Sequence, residues 1–175
     1  MSYPSNSDLT PRLNNSCQLL RFSLGIIALI LGSLIYLIER PARESLFIAE
    51  SISLFNEGVA LFGPLGNHLP TFIHPFAFIL ITASFCSTKR SSYWLICSTW
   101  LTINTLFEIG QHSFVYQNII SHAPPFLADL PFMDTVLSYF KNGHFDPFDI
   151  LSIFMGVIAA YGVLLLTEKI PKKSL

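Results

Sequence analysis

Charged residues are scarce in this sequence. Asp, Glu, Lys and Arg make up only 12% of its 175 residues, whereas 51% are hydrophobic, and the mean hydropathy is +0.54. A soluble domain carries about 25% charged residues, so we expect an integral membrane protein that lies in the lipid bilayer. The net charge of -1 argues against a nucleic-acid partner, since phosphate binding needs a basic surface.

The sequence also lacks the motifs of disulfide, metal and nucleophilic chemistry. Cys17, Cys86 and Cys97 show no CxxC or other ligand spacing, which predicts ordinary buried thiols. Glu108 and His112 are four residues apart and could share one ion, but there is no HExxH motif, and no serine lies in a nucleophile elbow. We therefore predict no metal and no cofactor. The sequence does not decide whether the protein is an enzyme.

Long apolar runs predict about four transmembrane helices. Twenty helical residues reach about 30 Å, the thickness of the hydrocarbon core. We expect an all-α, polytopic membrane protein with a single transmembrane domain over residues 19–168, between a flexible tail at 1–18 and a basic tail at 169–175. The predicted spans are about 19–38, 70–86, 93–112 and 149–167.

Two long connections separate these spans, and each contains a helical pattern. In the first, apolar residues recur at helical spacing over about 45–62, which predicts an amphipathic helix at the membrane surface. In the second, residues 132–140 predict a short helix. The apolar positions of the first pattern are Ile48, Ile52, Phe55, Val59 and Phe62, with Glu50 and Glu57 between them.

The distribution of Lys and Arg predicts the orientation. Placing both termini and the turn at 87–92 inside puts seven of the ten basic residues there, so the positive-inside rule predicts N-in, C-in topology with both long connections outside. All five histidines and nine of the eleven acidic residues then lie on the outer side, where we expect any site. The seven inner basic residues are Arg12, Arg21, Lys89, Arg90, Lys169, Lys172 and Lys173.

Polar residues gather at the outer ends of the second and third spans. His74 lies about one turn inside its span, either as a ligand or proton-transfer group or as an interfacial histidine bonded to a loop. Glu108 shares a helical face with Asn104, Gln111 and His112. An ionisable residue in a span predicts a functional site. The alternative is that Glu108 pairs with a Lys or Arg of a loop.

A third polar group opens the last span. Asp146 fits an N-cap, Pro147 fits the first helical position and Asp149 falls in the first turn. Capping accounts for Asp146, while Asp149 is freer to face the other polar groups. The predicted outer-face binding cluster is therefore His74, Glu108, Gln111, His112, Asp146 and Asp149.

The order of three motifs resembles the VanZ-like membrane proteins, a family named after a teicoplanin-resistance factor. The motifs are Pro-Thr-Phe-Ile-His-Pro-Phe-Ala-Phe, Phe-Glu-Ile-Gly-Gln and Asp-x-x-Asp with a glycine seven residues later. The resemblance covers about residues 67–165. The chain departs from it at Ile153, where the family usually has Asn, and in lacking an Arg shortly after Glu-x-x-Gln. The residues that match are His74, Glu108, Gln111, Asp149 and Gly156.

This resemblance implies a role in the cell envelope and a place in a bacterial inner membrane. Our leading hypothesis is that the outer-face cluster recognises an envelope lipid or glycolipid headgroup, or a drug that mimics one. A second is a membrane enzyme in which His74 or Glu108 acts as general acid or base on a lipid-linked substrate. A third is an accessory subunit that assembles with a membrane-protein partner, in which buried polar groups merely tie spans together.

Overall fold

The structure is a computed structural model that describes residues 9–39, 50–55, 61–86, 90–122, 124, 130–131 and 133–168. The tail at 169–175 and the first eight residues of the predicted N-terminal tail lie outside these ranges. The described residues are all-helical and contain no strand. The helices are α1 (Leu9–Glu39), a 3-10 turn (Glu50–Ile52), α2 (Pro64–Phe85), α3 (Arg90–Gly110), α4 (Ser113–His122), α5 (Met133–Asn142) and α6 (Pro147–Glu168).

Arg21 joins three of the four long helices at one end of the bundle. Its Nε donates to Thr167 Oγ1 of α6 at 2.8 Å, and its Nη2 donates to Tyr93 Oη of α3 at 2.9 Å and to the Leu164 carbonyl at 3.2 Å. The guanidinium is 1% exposed and also lies 5.1 Å from the centre of the Tyr93 ring. The part of α1 around Arg21, the start of α3 and the end of α6 therefore meet here, at what we call the Arg21 end.

The opposite ends of the same helices meet around Glu108, at what we call the Glu108 end. Glu108, near the end of α3, accepts a hydrogen bond from the backbone N–H of Asp146, just before α6. His68, near the start of α2, contacts Asp149 in the first turn of α6. The four long helices consequently alternate in direction along the chain, and α3 extends from one end of the bundle to the other.

Three of the long helices are long and apolar enough to cross a membrane: Ser16–Glu39 within α1, Leu65–Phe85 within α2 and Pro147–Glu168, which is α6. The fourth predicted span, α3, has the length, at 21 residues, but is more polar. Its Ser, Thr, Asn and Glu residues lower its hydropathy.

The helix bounds differ from the prediction at three places. α1 is helical from Leu9, ten residues before the predicted span. α2 begins at Pro64, after Gly63 with a positive φ of 53°, and Pro70 and Pro75 lie inside the helix. Both interior prolines are buried, where neighbouring helices can compensate for the backbone hydrogen bonds they remove.

α3 ends at Gly110, so the predicted continuation to His112 is wrong. The N–H groups of Gln111 and His112 donate to carbonyls three residues back, those of Glu108 and Ile109, which closes the helix with a tight turn. α4 then begins as a separate helix. The break matters because it separates His112 from Glu108, whereas Gln111 still reaches the Glu108 carboxylate from the turn.

The two connecting helices have different outcomes. α5 confirms the short helix predicted over 132–140. The predicted amphipathic helix over 45–62 is wrong where it can be compared, because residues 50–52 form one 3-10 turn and 53–55 have no regular structure. The Ser53 hydroxyl accepts the Phe55 N–H at 3.3 Å, a local bond that competes with helix formation.

Glycines let α1 and α6 approach α2 closely. A Cβ on Gly25 would lie 2.7 Å from Ile81 Cγ1, and a Cβ on Gly32 would lie 2.9 Å from Ile73 Cγ2. On α6, a Cβ on Gly156 would collide with the Phe72 carbonyl oxygen. Small residues at contacts are typical of helices that pack in a membrane. The buried core beside these contacts comprises Ile79, Leu80, Ala83, Tyr93, Ile96, Cys97, Val157, Ala160 and Leu164.

Candidate functional site

A cavity of about 550 Å³ lies toward the Glu108 end, between α1, α2 and α3. Its volume falls in the usual range of small-molecule sites, about 300–1,000 Å³. Its lining includes hydroxyl, amide, imidazole and carboxylate side chains together with aromatic rings. The polar lining residues are Ser33, Tyr36, Thr71, His74, Asn104, Glu108 and Tyr139.

Phe78 and Trp100 form the inner floor of this cavity. Their rings stack with centroids 4.7 Å apart, and Trp100 Nε1 donates to Thr82 Oγ1 at 3.0 Å. They are the lining residues of α2 and α3 furthest from the Glu108 end. Because Trp100 precedes Glu108 by eight residues, the cavity extends about 12 Å along α3. Toward the Glu108 end the wall carries the Glu108 carboxylate and the Tyr139 hydroxyl beside apolar side chains, and the floor is aromatic. The apolar side chains at that end are Leu37, Ile52 and Phe107.

Glu108 is 5% exposed and is held by two elements besides its own helix. Its Oε1 accepts the Asp146 N–H at 2.9 Å, and its Oε2 accepts Gln111 Nε2 at 3.2 Å. Hydrogen bonds to the ionised form stabilise a buried carboxylate. The side chain is therefore oriented on the cavity wall by α6 and by the turn after α3.

Gln111 connects Glu108 to α5. Its Nε2 also donates to Tyr139 Oη at 3.0 Å, and Tyr139 lines the cavity. Close by, a Cβ on Gly110 would lie 2.8 Å from the Phe140 ring, so glycine permits α5 to pack against the end of α3. This sequence of contacts places α5 beside the polar part of the cavity.

Asp149 forms the second polar group at this end. It is 5% exposed, and its Oδ1 accepts hydrogen bonds from Thr71 Oγ1 at 3.0 Å and from His68 Nδ1 at 2.8 Å. Because a carboxylate accepts, the His68 proton is assigned to Nδ1. His68 Nε2 then lies 4.0 Å from Asp146 Oδ2. These contacts tie the first turns of α2 to the first turn of α6.

Asp146 caps α6, as predicted. Its Oδ1 accepts the Phe148 N–H at 2.9 Å, which satisfies a backbone donor of the first turn. Its own backbone N–H is the group that donates to Glu108. Asp146 therefore contacts Glu108 through its backbone N–H and caps α6, the helix that carries Asp149. It does not line the cavity.

The two predicted histidines have different surroundings. His74 lies on the cavity wall, with its ring 5.2 Å from that of Tyr36 and stacked 6.0 Å from that of Phe78. His112 is exposed and contacts the edge of the Phe145 ring at 5.4 Å, away from the cavity lining. Of the six predicted residues, His74 and Glu108 therefore line the cavity together. Gln111 and Asp146 hydrogen-bond to Glu108, and Asp149 contacts the lining residue Thr71 from behind. His112 lies apart from this group.

Sequence reasoning missed three participants: His68, Thr71 and Tyr139. His68 and Thr71 are three residues apart at the start of α2, a spacing that places both on one helical face and was available as a signal. Tyr139 has no such local signal, because the turn after α3 and the packing of α5 bring it to Gln111. Among the described residues, no group of three or more His, Cys, Asp or Glu side chains could hold a metal ion.

No protein-family model, curated protein or solved structure matches this chain.

Proposed function

We propose that this protein is a four-span, VanZ-like membrane protein of a bacterial inner membrane. Its cavity binds the headgroup of an envelope lipid or glycolipid, or a drug that mimics one. The observation that carries the proposal is the polarity of the cavity, which has the Glu108 carboxylate and the Tyr139 hydroxyl at one end, among apolar side chains, and the stacked Phe78 and Trp100 rings at the other. An amphiphile likewise has a polar headgroup at one end and an apolar chain at the other.

The proposal treats α3 as the fourth span. Its 21 residues reach about 31 Å, and its contacts with Arg21 and Asp146 place its two ends at the two ends of the bundle. Several of its polar side chains have protein or cavity surroundings, since Asn104 and Glu108 line the cavity. Polar groups in such positions are compatible with a membrane span.

The orientation and the family resemblance support the same location for the ligand. Positive-inside placement puts the Arg21 end in the cytoplasm and the Glu108 end outside. The residues that match the VanZ-like pattern gather at that outer end: His74 and Glu108 share the cavity, and Gln111 donates to Glu108. The cavity is therefore accessible to lipids of the outer leaflet.

A specific observation also favours an assembly role for part of the cluster. Asp149 receives hydrogen bonds from two α2 side chains, Thr71 and His68, and buried interhelical bonds of this kind stabilise membrane bundles. We assign Asp149 to holding α2 on α6, and His74 and Glu108 to the ligand.

The two roles predict different effects of substitution on protein abundance and on bound lipid. The protein is extracted with its surrounding lipid in polymer nanodiscs, and both its abundance and the co-extracted lipids are measured. Glu108→Gln and His74→Ala should keep near-normal abundance but lose an enriched lipid, whereas Asp149→Asn should lower abundance. Wild-type nanodiscs whose lipids match the bulk membrane in composition would overturn the lipid-binding proposal.

A further inference from the structure

We propose that the cavity takes a lipid with an uncharged, hydroxyl-rich headgroup, such as a sugar, which enters sideways from the leaflet at the Glu108 end. This inference rests on the proposed lipid-binding function and specifies its ligand. Three features carry it: the charge of the lining, the depth of the cavity and the exposure of its α3 edge.

The charge of the lining disfavours a phosphate headgroup. The described lining residues include one carboxylate, Glu108, and no Lys or Arg. Asp149 adds a second acidic group behind Thr71 on this wall, where its carboxylate accepts from Thr71 and from His68. Proteins bind phosphate with cationic side chains or backbone N–H groups, so a phosphodiester here would meet negative charge. The same argument excludes ammonium-bearing phospholipids, because their phosphate would have to enter as well.

Sugar hydroxyls match the same lining. Each hydroxyl donates one hydrogen bond and accepts two. The Glu108 carboxylate accepts, and the Asn104 amide both donates and accepts. The Thr71 hydroxyl, whose proton goes to Asp149, accepts, and the Tyr139 hydroxyl, which accepts from Gln111, donates. A ligand with several hydroxyls can exchange its hydrogen bonds with water for bonds to these groups without burying a charge.

The depth of the cavity corresponds to one leaflet. The cavity extends about 12 Å along α3, while half of the hydrocarbon core is about 15 Å. A lipid with its headgroup at Glu108 would therefore place its chain beside Phe78 and Trp100, the aromatic floor. The site is too shallow to hold a molecule that spans the bilayer.

The side of the cavity faces the lipid. Among the described residues, α1 packs mainly against α2, and α3 packs against α6 and α2. Arg21 of α1 reaches Tyr93 of α3 at the opposite end of the bundle. Ile103 and Phe107 line the cavity and are 38% and 37% exposed, so the cavity is open along this edge of α3. On α1, Leu34 is 44% exposed. A chain can thus slide in between α1 and α3 without leaving the bilayer.

The two tryptophans of the chain allow a direct test. Trp94→Phe leaves Trp100, in the floor, as the single tryptophan, and Trp100→Phe leaves Trp94, which is 62% exposed near the Arg21 end. Each variant is placed in phosphatidylcholine nanodiscs and titrated with dodecyl maltoside that carries bromine in its alkyl chain, which quenches nearby tryptophan. Phosphocholine and phosphoglycerol amphiphiles with the same brominated chain serve as comparisons.

We expect saturable quenching of Trp100 by the brominated maltoside. Unbrominated dodecyl maltoside should reverse it, while free maltose and the two phosphate amphiphiles should not. Trp94 should show only a linear, unsaturable response. Glu108→Gln and Asn104→Ala in the Trp94→Phe background should each weaken binding at least tenfold, with thermal unfolding measured to show that both variants are folded.

The contrary outcomes separate the two proposals. Saturable quenching by a phosphate amphiphile in preference to the maltoside would overturn the headgroup inference and leave lipid binding intact. Competition by free maltose would overturn lateral access and indicate a soluble sugar ligand. If no amphiphile quenches Trp100 saturably but native nanodiscs retain an enriched lipid, the ligand class is wrong. If no lipid is enriched either, the proposed function falls with it.

Discussion

The backbone N–H of Asp146 donates to Glu108 Oε1 at 2.9 Å, which connects the end of α3 to the start of α6. The bond joins residues 38 positions apart in the sequence. Through it, the residue that caps the next long helix holds a carboxylate of the cavity wall in place. The site and the helix junction are therefore built from the same contact. A change at Glu108 has a structural consequence as well as a chemical one.

This double role predicts different outcomes for two substitutions. Glu108→Ala leaves the Asp146 N–H without its acceptor and should lower the free energy of unfolding by about 1–3 kcal/mol. Glu108→Gln keeps a carbonyl oxygen for that N–H, and the Gln111 amide can rotate to present its own oxygen. It should therefore cost clearly less than Ala. Thermal unfolding in a mild detergent measures both, and equal losses would show that the Asp146 bond contributes little.

Local patterns in the sequence predicted the parts of the site that lie within one helix. The cap at Asp146 and the spacing from Glu108 to Gln111 depend on neighbouring residues, and both contacts form. His112 was placed on the same face only by extending α3 past Gly110. That glycine instead ends the helix and accommodates the Phe140 ring, a contact between distant segments that no local pattern contains.

Apolar runs predicted four spans, and three of the described helices are long and apolar enough to cross a membrane, whereas α3 is more polar. Two of the polar residues that lower the hydropathy of α3, Asn104 and Glu108, line the cavity. Ser98, Thr99 and Thr102 lower it as well and are exposed. The role of Arg21 was missed because a charge near the end of an apolar run predicts an interfacial flank, whereas here it is buried between three helices.

Gly156 and Gly162 provide a matched pair on α6. Gly156→Ala would drive a methyl group into the Phe72 carbonyl oxygen, a backbone atom that cannot move without shifting α2. We expect a loss of about 1–3 kcal/mol from overpacking. Gly162→Ala meets nothing within 4 Å and replaces a poor helix former, so it should be neutral or slightly stabilising. Unfolding temperatures compared side by side test the pair, and a similar loss at both positions would contradict the close contact.

The surroundings of Arg21 predict an unusual order of stability among its substitutions. Among the described residues no carboxylate pairs with it, and its Nη1 is buried without a hydrogen-bond partner. Arg21→Lys keeps a buried charge but loses the planar geometry that reaches both Thr167 and Tyr93. Arg21→Met removes the charge while retaining much of the volume, and such replacements of buried charges can be neutral or stabilising.

We therefore expect Arg21→Met to be more stable than Arg21→Lys, by at least about 1 kcal/mol. Detergent-solubilised protein unfolded by heat, with both variants measured beside the wild type, gives the order directly. Better stability for Arg21→Lys would show that the positive charge itself holds the three helices together.

The last prediction concerns whether α3 crosses the membrane. If it does, the residues just before α3 and the connection at 121–148 lie on opposite sides, because α3 is the only long helix between them. Reporter fusions after Lys89 and after Ala128 should then be active in opposite compartments, with Lys89 in the cytoplasm. Fusions that report the same side would mean that α3 lies within the bundle without crossing. The cavity would then not face the outer leaflet, and the lateral route for a lipid would be lost.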